Sequence, residues 1–428
     1  MGVCLSHHDL GQRGDNMSDN DRKVLRKVAG EYFVLAQQER FHENRKLHRA
    51  VNDLKPIRPV VLIDELPWAE MNINEELTLH CENPVLRGVE WNLRSTIYKA
   101  KHLPADMLVT PYVPVYKCVN FAGIGISVDE RTIAQQGRDT IQSHEYHDQL
   151  ATESDLEKIH NDVVTYDRVE TMREYQLVGD MIGDILPVRL KGFDYASTGT
   201  WDAIAMYRGV SNLLIDLAER PDFMHRTVRK LHDVKWDAVR QIEELGLFDN
   251  NPDSLHCTPI LASDLPGRNF DGEHVRLENV WGRAVAQIFA SVSGPMHEEF
   301  DIAYIRDSMS RCGLVYYGCC EPLDKKMDIV QTIPNLRKVS ITPWADVNVA
   351  AEAIGRKYVL SSKPNPASVA ADRLDHNQLR KEIGTILDAC RRYGCSCDLV
   401  LKDISTCNGR PQNIFEWEQV VMEMVRSI

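Results

Sequence analysis

Beyond residue 60 the chain alternates short apolar runs with longer stretches in which apolar positions recur every three or four residues. The short runs read as strands: VVLID (60–64), DMLVTPYVPV (106–115), DILPVRL (184–190), AVAQIFASV (284–292), GLVYYG (313–318), KVSIT (338–342), KYVLSS (357–362) and CDLVLKDIS (397–405). Between them, segments such as WDAIAMYRGVSNLLIDLAE, EEFDIAYIRDSMSRC, VNVAAEAIG and NQLRKEIGTILDACRRYG carry the helical period with one apolar face. Strand and helix alternating in this way predict an α/β protein whose parallel sheet closes into a (β/α)8 TIM barrel over residues 57–428. A further apolar stretch, SLHCTPI (254–260), sits between proline-bearing loops and reads as part of an insertion.

Ahead of the barrel, residues 18–52 read as one long helix, with Asp19 or Asn20 as its cap and Leu25, Val28, Tyr32 and Leu35 along one face. KPIRP (55–59) ends it, because proline cannot continue the hydrogen-bond ladder. Residues 18–56 are thus expected to form a helical arm packed outside the barrel. Residues 1–17 have no periodicity and read as a flexible leader, and Met17 offers a second start. The opening MGVCLS also meets the short glycine-second pattern for N-myristoylation.

Composition narrows the range of functions. Hydrophobic residues at 43% and charged residues at 26% are ordinary for a globular chain of 428 residues. A net charge of −13 with no concentrated basic face argues against nucleic acid or an anionic membrane as partner, leaving small molecules or a protein. No apolar run reaches the roughly 18 residues that span a bilayer. Eleven cysteines without a framework spacing, and no apolar signal peptide before them, point to free thiols in a reducing cytoplasm. No G-x-G-x-x-G, Walker, H-E-x-x-H or nucleophile-elbow motif occurs in a suitable context, which argues against dinucleotide and nucleotide-phosphate chemistry.

A parallel barrel carries its chemistry at the carboxyl ends of its strands. Cys319, Cys320 and Glu321 follow GLVYYG; Lys402 and Asp403 end the last strand; Lys363 and Asn365 follow YVLSS; Glu65 follows the first strand. His297, Glu298 and Glu299 come just after QIFASVSGP. Cys395 and Cys397 instead precede a strand and are expected at the opposite end, in packing. The CCE triplet has two readings. Cys319 and Glu321 suit a zinc site completed by neighbouring strand ends, or they are two small buried cysteines and a glutamate starting a helix. His256 and Cys257 are a ligand pair or ordinary loop residues. Asp403 with Lys402 is a site pair or a rim ion pair, and Glu299 is a site residue or part of a solvated first helical turn.

Several blocks, in order, resemble the uroporphyrinogen decarboxylase superfamily, which includes corrinoid-dependent methyltransferases. They are ILPVRLKGFDYASTGTWDAIAMYRG, LLIDLAERPDFMHRTVRKL, AQIFASVSGPMHEEFDIAYIRDSM, VYYGCCEP, KVSITPWADVNVAAEAIG and YVLSSKPNPASVA, covering roughly residues 180–428. The family's proline-tyrosine pair is Ala303-Tyr304 here. The arginine-rich stretch that holds porphyrinogen carboxylates reads LIDELPWAEMN, and the glycine-histidine-glycine of the last strand reads LKDIST, placing Asp403 near the histidine. Of the methyltransferase branch's zinc ligands, Cys319 matches the first cysteine, Tyr317 stands at the histidine position, and SSKPNPA offers no cysteine.

The resemblance therefore implies a cytoplasmic methyltransferase of an anaerobic corrinoid system, acting on a small-molecule methyl donor or acceptor with a separate corrinoid protein as partner. A homodimer is compatible with it. Zinc would be held by Cys319 with a variant set drawn from Glu299, His256 and Glu321, while Asp403 or Glu299 binds metal or handles a proton. The alternatives are a decarboxylase-like lyase on another small acid, with Lys363 and Lys402 holding its carboxylate, and a non-catalytic subunit of a corrinoid system.

Overall fold

The computed structural model describes residues 18–133, 143–250 and 254–428; the leader expected at 1–17 lies outside them. It is an α/β fold. Nine strands define its frame: β1 (Val60–Ile63), β2 (Val113–Tyr116), β3 (Val188–Lys191), β4 (Tyr195–Ser197), β5 (Trp281–Ala284), β6 (Leu314–Tyr317), β7 (Leu336–Ile341), β8 (Val359–Ser362) and β9 (Ser396–Leu401). Seven form one parallel sheet in the order β1-β9-β8-β7-β6-β5-β4, and β2 pairs with β3, also parallel, as a separate ladder.

Residues alternate between the two faces of this sheet. Val315, Tyr317, Val339, Ile341, Leu360, Leu399 and Leu401 face a large core with residues of the covering helices, including Ile354, Ile383 and Trp417. Leu314, Tyr316, Trp281 and Tyr195 turn the other way, onto Leu255 and Ile260 of the 254–260 insertion. All six residues of β9 are buried, as expected of a parallel strand covered on both faces. Helices enter between strands with side-chain caps; Asp375, for example, accepts from the backbone N–H groups of Asn377 and Gln378.

The closed barrel expected from the sequence is not found: among the described residues the ladder stops at β4 on one side and β1 on the other. Asp106 accounts for the β1 edge. Its N–H donates to the Val61 carbonyl at 3.0 Å, and its carboxylate accepts the Val61 N–H at 2.9 Å. One residue thereby takes the hydrogen bonds that a neighbouring strand would make. Arg58 locks that carboxylate with a bidentate pair at 2.7 and 2.6 Å. Two other boundaries differ. Residues 284–292 are not one strand: β5 ends at Ala284, and Gln287–Ser291 is a 3-10 turn. The strand expected over 106–115 is confined to Val113–Tyr116.

The arm is two helices rather than one, α1 (Asp19–Ala36) and α2 (Glu39–Asn52), and Ser18 rather than Asp19 or Asn20 supplies the cap. Gln38 is extended (φ −71°, ψ 131°), and this break redirects the chain. Leu25, Val28 and Tyr32 of α1 pack with Leu86, Val89 and Leu93, whereas Val51 of α2 reaches Val60 and Val359 at the starts of β1 and β8. His48 pins α2 by donating from Nε2 to the Asp106 carbonyl at 2.7 Å. Burial lowers its pKa from 6.5 to about 4, so the folded chain holds it neutral. Unfolded chains protonate this histidine first, so stability falls as pH drops from about 6.5 to 4, by about 3 kcal/mol in all. Urea denaturation across that window should show the loss in the wild type and a flatter profile in His48→Gln; equal slopes would refute the assignment.

The 254–260 insertion is a hairpin, Ser254–Leu255 against Thr258–Pro259, laid along the inner face of the sheet. Polar contacts hold it there. The Lys338 ammonium donates to Thr258 Oγ1 (3.1 Å), the Pro259 carbonyl (2.6 Å) and Asp398 Oδ2 (2.8 Å). Lys363 donates to the Cys257 carbonyl (2.6 Å) and Ser361 Oγ (2.7 Å), and Ser361 donates to Asp398. Trp281 Nε1 donates to the Ile260 carbonyl at 2.9 Å. Asn52, at the end of α2, donates to the Pro259 and Leu261 carbonyls at 3.2 and 2.8 Å. No helix is long and apolar enough to cross a membrane among the described residues.

Candidate functional site

Strand β6 ends at Tyr317, and the φ of +92° at Gly318 turns the chain sharply. A Cβ there would lie 2.7 Å from Leu323 Cδ1 and 3.3 Å from Ser340 Cβ, so only glycine fits. The turn places the Cys319 sulfur against the end of β9, where Lys402 Nζ donates to it at 3.1 Å. Cys320 Sγ lies 3.6 Å from that sulfur and 3.4 Å from Asp403 Oδ2. Lys402 also bonds Cys320 at 3.4 Å and pairs with Asp403 at 2.7 Å. Glu321 supports the turn from below, accepting the N–H of Cys319 (3.0 Å) and of Ala286 (3.2 Å) while fully buried.

The surroundings of Cys319 favour its thiolate form. The hydrogen bond from Cys320 lowers its pKa first, against the opposing effect of burial; His256, Lys402 and Arg283 add to the lowering, which reaches about 3. Cys320 moves the other way and keeps its proton, because it is the donor to that thiolate and is itself partly buried. Burial raises Glu65, as does the hydrogen bond it shares with Asp403.

The hairpin tip and the end of β1 complete the cluster. His256 Nδ1 lies 3.4 Å from Glu65 Oε1, and Glu65 Oε2 accepts the Asp403 N–H at 3.1 Å. The ligand atoms of Glu65, His256 and Cys257 lie within 4.8 Å of one another, a spacing suited to one metal ion. Glu65 (φ 48°), Cys257 (φ 57°) and Asp403 (φ 56°) all adopt left-handed backbone conformations. Such positions cost about 1–3 kcal/mol each and persist where surrounding contacts fix them.

Cys319, His256 and Asp403 are thus brought together, with Glu321 directly beneath. Glu299 and Lys363 are not part of this group. Glu299 lies on the turn Glu298–Ile302, half-exposed, with His225 Nε2 at 3.0 Å. Its neighbour His297 is buried against the hydroxyl of Tyr317, on the helix-covered face of the sheet. The segment that follows QIFASVSGP has already entered the helical layer, and that carries Glu299 away from the strand ends. Lys363 is 3% exposed and spends its ammonium on the hairpin rather than on the open rim.

Cys395 and Cys397 are buried at the start of β9; Cys395 Sγ contacts the Ala351 carbonyl at 3.2 Å. Every cysteine among the described residues is free. Glu65 and Lys402 sit at strand ends and were open to the same positional reading. Arg283, on the inner face of β5, gave no such signal, because an arginine inside a short strand reads as surface.

No family model matches this chain, and no curated protein matches it either.

Proposed function

We propose that this protein is the methyltransferase of a corrinoid-dependent demethylation system, built on a (β/α)8-type barrel whose sheet is interrupted on either side of the β2–β3 ladder. The first strand lying beside the last, with neighbours otherwise in chain order, supports the barrel reading. The observation that carries the function is the thiolate of Cys319 set against Glu65, His256 and Cys257 at the carboxyl ends of parallel strands.

These residues suit zinc, which takes sulfur, nitrogen and oxygen together. Glu65, His256 and Cys257 would hold it, with Cys319 adjacent through its contact with His256. Bound there, zinc would supply Lewis acidity toward a methyl ether oxygen or a thiol acceptor, and a corrinoid carried by a separate protein would serve as the methyl carrier. The chain's own residues do the rest. Lys402 and Cys320 keep Cys319 ionised, Glu321 fixes its backbone, and Asp403 holds both Lys402 and Cys320 in place. The Lys363 and Lys338 contacts fix the hairpin that presents His256. A reducing cytoplasm suits this chemistry, and the free cysteines support it.

The test is methylation of free cob(I)alamin by a panel of methyl ethers, followed by visible absorbance with zinc-loaded protein. Turnover is expected in the wild type. Carbon dioxide release from small acids, with no methyl exchange, would replace this reading with the decarboxylase-like one.

A further inference from the structure

The inner face of the sheet carries four cations, and three have partners. Lys338 is paired with Asp398 at 2.8 Å, Lys402 with Asp403 at 2.7 Å, and Lys363 is bonded to Ser361 and the Cys257 carbonyl. Arg283 is different. It is 8% exposed, its Nε has no hydrogen-bond partner, and none of its side-chain nitrogens makes a hydrogen bond or ion pair among the described residues. Of the neighbouring charges Cys319 acts on it first; Asp202, the carboxylate that also acts on it, accepts from Gln287 Nε2 at 3.0 Å instead, and Lys235 already faces Asp202. Its Nε is buried without an acceptor, a costly arrangement that an arriving acceptor would relieve, and its charge otherwise faces only the Cys319 sulfur and Asp202 across the site.

We propose that the site takes a substrate bearing a carboxylate, bound by the guanidinium of Arg283 on the strand next to Cys319. Register fixes the neighbourhood: Arg283 stands opposite Tyr316, and the Gly318 N–H donates to the Ala284 carbonyl at 3.0 Å. Tyr195, only partly buried, borders the guanidinium and supplies aromatic surface for the substrate's apolar part. A planar carboxylate matches the guanidinium fork bidentately. A carboxylate brings one negative charge to a guanidinium that already faces the Cys319 sulfur, whereas a phosphate dianion would bring two. The inference names the substrate class of the site in the preceding section and rests on that cluster being a substrate site, but not on methyl transfer.

The test is isothermal titration of the full-length protein with acetate, butyrate, benzoate and 4-methoxybenzoate, each beside its primary amide, and with inorganic phosphate. At least one carboxylate should bind about tenfold or more tightly than its amide, the difference one charge-assisted bidentate contact provides. Arg283→Gln should abolish that preference, and Arg283→Lys should retain part of it. If Arg283→Gln does not fold, the acid–amide comparison on the wild type and Arg283→Lys decide. Binding of no carboxylate, equal binding of acid and amide, an unchanged preference in Arg283→Gln, or phosphate binding more tightly than every carboxylate would each overturn the proposal. The titration reads binding without turnover, so its failure is distinct from failure of the methyl-transfer assay.

Discussion

Replacing Asp398 with alanine should destabilise the protein by about 3–5 kcal/mol, the loss expected when one partner of a buried ion pair is left alone. Lys338 and Asp398 are both 0% exposed, so neither can turn to water. Asp398 also accepts from Ser361, which in turn receives Lys363, so its removal leaves two ammonium groups facing one another across the hairpin. Burial already lowers Lys338 to about 8. Without the carboxylate its neutral form gains further, and the unfolded chain then binds more protons. The variant should therefore recover stability as pH rises above neutrality. Replacing both partners, Lys338→Met with Asp398→Leu, should cost less than Asp398→Ala alone. Urea denaturation at pH 7 and 9 checks all of this; a single-variant loss below about 1 kcal/mol would show that the pair is not the hairpin's anchor.

Cys319→Ser has the second large effect, on chemistry rather than stability. A serine hydroxyl fits the space but does not ionise at neutral pH, so it cannot replace a thiolate beside the metal group. Its backbone contacts to Glu321 and Ser340 remain, so the fold should lose no more than about 1 kcal/mol. Methyl transfer should fall by about a hundredfold or more, since the charge that Lys402, His256 and Arg283 surround is gone. A variant with full activity would remove Cys319 from the site. Cys395→Ser is the matched control: the same change to a buried thiol, at the opposite ends of the strands.

Most of the strand frame was legible as apolar runs between helical periods, because burial on both faces of a parallel sheet leaves that pattern. Its failures have local causes. Residues 284–292 blurred a strand and a 3-10 turn into one apolar run, while Gly282 and Arg283 hid the strand itself; Gly282 is there because a Cβ would lie 2.8 Å from Cys312 Sγ. The arm's break at Gln37–Gln38 carries no proline or glycine, and it follows from where α1 and α2 each find a wall to pack on.

Of the candidate site, position along a strand placed Cys319, Lys402 and Asp403 correctly at the carboxyl ends. The grouping of His256 and Cys257 with Glu65 was not legible. It depends on a hairpin drawn onto the sheet by Lys338, Lys363 and Trp281, contacts far apart in sequence that no local pattern encodes. Arg283 escaped for the same reason: its burial is set by strands β4 and β6 on either side.

The central claim is that the strand-end cluster, and not the cysteines at the other end of the sheet, holds a metal. Metal content of the purified wild type, Cys257→Ser, His256→Ala and Cys395→Ser, measured after equilibration with zinc, tests it directly. The account predicts about one zinc per chain in the wild type and Cys395→Ser, and loss in Cys257→Ser and His256→Ala. Equal zinc in all four proteins, or loss confined to Cys395→Ser, would contradict it.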